Sequence, residues 1–270
     1  MRFGLAVPNF ADFSDVHLIQ EVVTSAEASG WDGFFLWDHI ARSSAWEPGL
    51  PFADVTVALT AVALATTRIT FGTLVTPVPR RRPQKLAREF ATLDRLSGGR
   101  VVLGVGIGSP VQDEFTAFGE QDDARTRGDI LDESLEAIQR LWSGEPVDLD
   151  GEHVRIHTPP FLPTPLQRPR IPIWAAARWP STGRTLRRAR GLDGIVPIPA
   201  NPSGDERLQP EDVAEVRRAV GDELEIVVTG HDDADPADFE RAGATWYVVA
   251  ATDKEKAQAT ATSHPPHGKS

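Results

Sequence analysis

Four short runs in this chain carry residue types able to do chemistry. They are Trp37-Asp38-His39, Thr73-Leu-Val-Thr-Pro77 followed by Arg80-Arg81-Arg82, Gly104-Val-Gly106-Ile-Gly108-Ser109, and Trp174-Ala-Ala-Ala-Arg178. An imidazole such as His39 exchanges protons near neutral pH, and the adjacent Asp38 carboxylate could hold its tautomer. The alternative for the same pair is a strand-end histidine tied to backbone, beside an aspartate that caps a turn. Three arginines in a loop are most simply a solvated charge run. At the rim of a pocket they would be an anion clamp, because guanidinium pairs well with carboxylate and phosphate.

The glycine run has the spacing G-x-G-x-G, with Ser109 where a dinucleotide fingerprint would have its third glycine. It also lies within a strand pattern and does not open a helix, which argues against a Rossmann loop. Glycines in a strand let a flat group approach the backbone or let a neighbour pack closely. Ala175, Ala176, Ala177 and Arg178 run through Trp179-Pro180-Ser181 toward a helix at 182–190. Small side chains ahead of a helix N-terminus expose amides that suit a phosphate. No metal is expected: no His-x-His ends the first strand, and His17, His153, His157, His231, His264 and His267 are scattered.

These runs need strands to hold them. Apolar strand patterns at 2–8, 33–37, 69–76, 101–107, 171–177, 193–197, 225–229 and 245–249 alternate with helical periodicity. The helices begin with Val16, Ile19, Val22, Val23 and Ala26 on one face, with Gly30 as a left-handed cap. Others follow at 54–66, from Pro83 with Leu86, Phe90 and Leu93 inward, and on the stripe from Ile130 to Trp142. Shorter ones are expected at 210–220 and 236–242. Residues 144–170 read as a hairpin (147–150 and 153–156, turning near Gly151) and a proline-rich crossing. Eight strands alternating with helices predict a (β/α)8 TIM barrel, whose strand C-termini line one pocket; a doubly wound sheet, less common with eight parallel strands, is the alternative. The barrel is expected as one domain over 1–262, with 263–270 a disordered tail.

The totals exclude several classes. With 28 Lys+Arg against 39 Asp+Glu the net charge is −11, a field that repels nucleic acid. The absence of cysteine excludes disulfides, thiolate catalysis and Cys-ligated metal. The longest uncharged run, between Asp54 and Arg68, has 13 residues, short of the roughly 20 that span a bilayer. No secretory apolar segment follows Met1. The expectation is a soluble, cytoplasmic protein with neither a nucleic-acid nor a membrane partner.

With these residues in place, the chain resembles the bacterial luciferase-like family of flavin- and deazaflavin-dependent oxidoreductases over roughly 2–250. The run from Ala91 to Gly108 carries most of the likeness. Asp38-His39, Leu141-Trp-Ser-Gly-Glu-Pro146, Gly151-Glu-His153, Ile171-Pro-Ile-Trp174 and Asp193-Gly194 support it. The resemblance implies a luciferase-like barrel that binds coenzyme F-420 or FMN at its strand C-termini. It implies Asp38 and His39 beside the ring, and Thr73 and Leu74 in a bulged strand behind it, often with a non-proline cis peptide. Gly106, Ile107, Gly108 and Ser109 would flank the ring, and Ala175, Ala176, Ala177 and Arg178 would meet the phosphate. His39 would be the proton relay, Asp38 its orienting group, and Arg80–Arg82 the holder of an anionic cofactor tail.

Family sugar-phosphate dehydrogenases carry a catalytic glutamate where Ser109 stands, which separates this chain from that activity. The third-strand exit is one residue shorter than theirs, and the usual Gly-Gly of the phosphate loop is Ala177-Arg178. The leading expectation is hydride transfer between reduced F-420 and a small organic substrate. The alternatives are an FMN monooxygenase served by a separate reductase, and a non-catalytic barrel with a vestigial site. Trp46 and the 144–170 segment would line a partly apolar pocket, and homodimers occur in the family.

Overall fold

The computed structural model describes residues 1–41, 49–181, 183–200, 206–231 and 234–266. Trp46, Thr182 and residues 267–270, all named above, lie outside these. Eight parallel strands close into a barrel: β1 (Arg2–Val7), β2 (Gly33–Trp37), β3 (Thr70–Pro77), β4 (Val101–Gly106), β7 (Ile173–Trp179), β8 (Gly194–Pro199), β9 (Glu225–Gly230) and β10 (Trp246–Ala250). The ring runs β1-β10-β9-β8-β7-β4-β3-β2, so β1 closes it by pairing with both β10 and β2. Between β4 and β7 an antiparallel hairpin, β5 (Val147–Asp150) and β6 (Arg155–Thr158), stands outside the barrel.

Helices cover the outside: α1 (Val16–Ala28), α2 (Val55–Ala65), α3 (Pro83–Ser97), α4 (Val111–Glu114), α5 (Ala124–Ser143), α6 (Gly183–Arg190), α7 (Pro210–Val220), α8 (Pro236–Arg241) and α9 (Lys254–Thr262). Aspartates start several of them. Asp15, Asp54, Asp123, Asp235 and Asp253 each accept a first-turn amide, satisfying donors that the helix itself cannot. Among the described residues no helix is long and apolar enough to cross a membrane.

The strand reading of the sequence differs from the structure mainly at the hairpin, whose second strand starts at Arg155 and not at 153. Glu133 of α5 is the reason: its carboxylate accepts the amides of Glu152, His153 and Val154 and draws them into the turn. Two helices, α4 and α9, carry no periodicity long enough to announce themselves. Beyond α9 the Ser263 carbonyl accepts from Trp31 Nε1 at 3.0 Å, and His264 Nδ1 lies 3.1 Å from the Ser29 carbonyl, so the first tail residues rest on α1.

Alternation along each strand splits the core into two shells. Leu5, Phe34, Phe71, Leu103, Ile173, Ile195 and Ile226 face the helices. Ala6, Phe35, Leu74, Val102, Trp174, Val196, Val227, Trp246 and Val248 fill the barrel interior. Phe35, Trp174 and Trp246 meet there with ring centroids 5.4–5.6 Å apart. Glycines make room for them: a Cβ on Gly33 would sit 2.6 Å from Trp246, and one on Gly194 would sit 2.5 Å from Trp174. This plug closes the lower barrel and leaves its upper end to the strand exits.

The segment from Thr92 to Gly108 is mostly a set of clamps. Asp94 is fully buried and accepts the amides of Leu166 and Gln167, at 2.5 and 3.0 Å, and the Gln167 side-chain amide at 2.7 Å, so it pins the proline-rich crossing to α3. Arg100 donates to the carbonyls of Ala63, Thr66, Ile69 and Ser97. Burial opposes the charge on Arg100 and lowers its pKa, and Glu27 partly offsets this. Glu27 accepts the amides of Thr67, Arg68 and Ile69 between α2 and β3. Burial opposes its charge too, but the three amides and Arg100 prevail and hold the carboxyl below its ordinary value.

Gly104 lies where a Cβ would meet the carbonyl oxygens of Leu74 and Thr73 at 2.1 and 2.2 Å. Backbone cannot yield as a side chain can, so Gly104→Ala should destabilise the protein by about 3 kcal/mol in urea unfolding. Gly183→Ala, with nothing within 4 Å, should be neutral or slightly stabilising. Glu27→Gln should lose stability relative to the parent above about pH 4.5. That difference should vanish as pH falls through the depressed folded value, because both proteins are then neutral at this position. Parallel unfolding titrations from pH 3 to 7 read it directly.

Candidate active site

The C-terminal ends of β1 to β4 converge on one ion network. β2 ends at Trp37 and delivers Asp38 and His39; the turn after β3 delivers Arg80 and Arg81; α4, entered from β4, delivers Glu114. Asp38 is 3% exposed and Glu114 1%. Arg80 NH2 donates to Asp38 Oδ1 at 2.7 Å and to the Asp38 carbonyl at 2.9 Å, while its Nε donates to Glu114 Oε2 at 2.8 Å. Arg81 NH2 donates to both Asp38 oxygens, at 2.9 and 2.8 Å. Burial works against the Arg81 charge, but Asp38 outweighs it and raises the pKa above the ordinary arginine value. Two guanidinium groups and two carboxylates are thus interlocked at the strand exits, and Glu89 Oε2 lies 3.9 Å from Arg81 NH1.

His39 sits at the edge of this set. Its Nδ1 lies 2.7 Å from Glu114 Oε1, and its side chain is 17% exposed. Asn9, fully buried just past β1, accepts the His39 amide at 3.1 Å and donates to its carbonyl at 2.8 Å. The same Asn9 amide donates to the Ala53 carbonyl at 2.8 Å. Phe10 and Trp37 flank the imidazole at centroid distances of 5.8 and 6.2 Å, and Phe52 extends this aromatic wall from Phe10. Among the described residues, His39 Nε2 has no hydrogen-bond partner.

β3 is bulged where it passes this group. Thr73 pairs with Leu103 and Thr76 with Val105, so three steps on β3 match two on β4. Leu74 is left pointing into the barrel interior, and Gly106 faces Val75 and Ala176, where its Cβ would lie 2.8 and 3.5 Å away. β4 and β7 stop pairing after Val105 and Ala175, and the residues just beyond are small: Gly106, Gly108 and Ala176. Gly108 turns the chain with φ +84°, and a Cβ there would strike the Phe115 ring at 2.6 Å. Arg127 is 2% exposed and donates to the carbonyls of Ile107 and Gly108 at 2.8 and 2.9 Å, which fixes that exit.

Several sequence expectations change here. Asp38 does not orient His39, because both of its oxygens are taken by arginines; Glu114 is the imidazole's partner. Arg80 and Arg81 are turned inward and do not form a free clamp for a cofactor tail; Arg82 alone of the three is exposed. The bulge lies at Leu74–Val75, and the cis peptides among the described residues all precede proline. Thr73 is fully buried with its hydroxyl bonded to the Gly104 carbonyl.

Ile107 packs on the helix-facing shell, as do Ala175 and Ala177, while Ala176 faces the mouth across from Gly106. Arg178 is exposed and donates to the Ala200 carbonyl at 2.6 Å and to Ser109 Oγ at 3.3 Å. The histidines are not all isolated either: His157 joins Asp148 and Asp150 in an exposed group on the hairpin.

Sequence reasoning missed Glu114, Asn9 and Arg127. The one usable signal was charge: a triple arginine at the rim of an acidic barrel needs buried partners, and Val111-Gln-Asp-Glu114 follows the adjacent strand exit.

Residues 1–266 match the family described as luciferase-like monooxygenase. The chain belongs to that family. Among curated relatives, the F420-dependent glucose-6-phosphate dehydrogenase of Mycobacterium avium (strain 104) is 36% identical over 179 residues, 65% of this chain and 51% of that protein. The same-named protein of Rhodococcus hoagii (strain 103S) is 31% identical over 250 residues, 87% of this chain and 71% of its own. The chain spans about half the length of the first of these. The coenzyme F420-dependent tetrahydromethanopterin reductase of Methanopyrus kandleri superposes with a TM-score of 0.76 at 18% identity, covering 99% of both chains. An F420-dependent secondary alcohol dehydrogenase bound to an F420–acetone adduct gives 0.75 at 18% identity, covering 96% of this chain and 97% of that one. This luciferase-like barrel is therefore the one the sequence pattern predicts.

The arginine run now divides by burial. Asp38→Ala would leave Arg80 with Glu114 as its one carboxylate and Arg81 with only the longer contact to Glu89, and should cost about 3 kcal/mol. Arg82→Ala should stay within about 0.5 kcal/mol of the parent. Chemical unfolding of the two variants side by side checks the contrast.

Proposed function

We propose that this luciferase-like protein is an F420-dependent oxidoreductase acting on a small alcohol or carbonyl compound. The observation that carries the reading is the His39 imidazole. It is anchored at backbone and ring, its Nε2 has no partner among the described residues, and it follows a strand that pairs with the bulged β3, in a family whose curated relatives are named as F420-dependent.

A flat ring would lie across the small residues at the strand exits. Gly106 packs against the Val75 side chain, where a Cβ would come within 2.8 Å, and Leu74 packs with the Phe35–Trp174–Trp246 plug below. His39, Gly108, Ser109, Ala176 and Arg178 are the residues that would hold the deazaflavin at its edges, with Asp38 behind them held by the arginines. When bound, that cofactor supplies two-electron hydride chemistry. The protein's part is the proton. His39 Nε2 takes it from a substrate hydroxyl or returns it to a carbonyl oxygen, and the aromatic wall of Phe10, Trp37 and Phe52 excludes water from one side.

Glucose 6-phosphate, the substrate in the relatives' names, fits this chain less well. Arg80 and Arg81 are consumed by carboxylates, and Ser109 replaces an acid with a hydroxyl. An uncharged, partly apolar substrate fits the aromatic wall better. A cytoplasmic site of action fits the cysteine-free composition. The family description favours a second reading, an FMN monooxygenase fed by a separate reductase.

Fluorescence titration with F420 and with FMN separates the two: micromolar or tighter F420 binding with weak FMN binding is expected, and the reverse would favour the monooxygenase. Binding of neither would leave a non-catalytic barrel. In the F420-bound enzyme, His39→Ala should lower kcat by about 10²-fold or more with cofactor affinity kept, and near-normal turnover would remove His39 from the reaction.

A further inference from the structure

Glu114 has both oxygens committed. Oε2 accepts from Arg80 Nε at 2.8 Å, and Oε1 lies 2.7 Å from His39 Nδ1 and 3.4 Å from the Ile40 amide. A carboxylate clamped by a guanidinium acts only as an acceptor, so the hydrogen in the Glu114–His39 bond belongs to Nδ1. Asn9 holds the His39 backbone at both its amide and its carbonyl. The ring can then move only about its own side-chain torsions, and Glu114 is the contact that stops it.

We infer that Glu114 is a positioning residue that sets the His39 tautomer, with hydrogen on Nδ1 and Nε2 bare toward the barrel mouth. The inference rests on reading His39 as the proton relay. It identifies what makes that relay competent: a neutral imidazole can accept a hydroxyl proton at Nε2 only if its hydrogen is held on the other nitrogen. The proton then stays on the imidazole, stabilised by the carboxylate behind it, in the manner of the aspartate–histidine pair of serine proteases. Asp38, next to His39 in sequence, cannot do this because the arginines occupy it. Glu114 is set in turn by Arg80, which binds Asp38 and Glu114 at once.

The experiment uses 15N-labelled full-length protein without cofactor, at a pH where the ring is neutral. Long-range 1H–15N spectra identify the protonated ring nitrogen, and the His39 signals are assigned by their loss in His39→Gln. In the parent, Nδ1 should carry the hydrogen and Nε2 should be bare. In Glu114→Gln, the new amide oxygen stays with the Arg80 Nε–H, and its NH2 group faces Nδ1. The tautomer should therefore invert, with hydrogen on Nε2.

With F420 bound, the same variant should lose about 10²-fold or more in kcat with KM changed by less than about threefold. Glu114→Asp, which keeps an acceptor, should restore the Nδ1–H form and part of the turnover. Hydrogen on Nε2 in the parent, or the same tautomer in parent and Glu114→Gln, would overturn the inference. If Glu114→Gln fails to fold, the parent spectrum and Glu114→Asp decide it. Full turnover by His39→Ala would defeat the relay reading instead and leave the tautomer result untouched.

Discussion

The mouth of this barrel depends on one buried arrangement, the pairing of Arg80 with Asp38 and Glu114 at once. Burying a charge costs several kcal/mol unless partners replace water, and removing one partner strands the others. Arg80 is suited to the role because its planar fork presents Nε and NH2 in different directions, one to each carboxylate. Through it, the end of β2, the turn after β3 and the helix after β4 are tied into one rigid group. His39 is held at the edge of that group, with its side chain partly exposed.

A second constraint acts below the mouth. Phe35, Trp174 and Trp246 fill the interior, and Gly4, Gly33 and Gly194 leave the space they need. Large and small residues are matched across neighbouring strands, which is how a barrel reaches close packing without strain. Higher up the residues are smaller: Gly106 packs against Val75 and Ala176 where β3, β4 and β7 end.

The run from Thr92 to Gly108 does two different jobs. Its first half is structural: Asp94 binds the proline-rich crossing and Arg100 gathers carbonyls from the α2–β3 connection. Its second half is β4, whose glycines accept the β3 bulge at Gly104 and the Val75 side chain at Gly106. The run therefore marks the family strongly while containing no group that moves a proton.

The barrel was legible in the residues because its causes are local. Apolar runs of strand length, capping aspartates and helical stripes each act within a few positions, and eight parallel strands on that rhythm form a closed barrel more often than an open doubly wound sheet. His39 was legible too, since a histidine at a strand exit is placed by the strand alone. Its partner was not. Asp38 is adjacent in sequence and Glu114 is 75 positions away, yet the distant residue makes the contact. Arg80 and Arg81 decided this by taking Asp38 from 42 and 43 positions away. Sequence order fixes neighbours along one strand, whereas buried charges choose partners across strand exits, and those exits meet only once the barrel has closed.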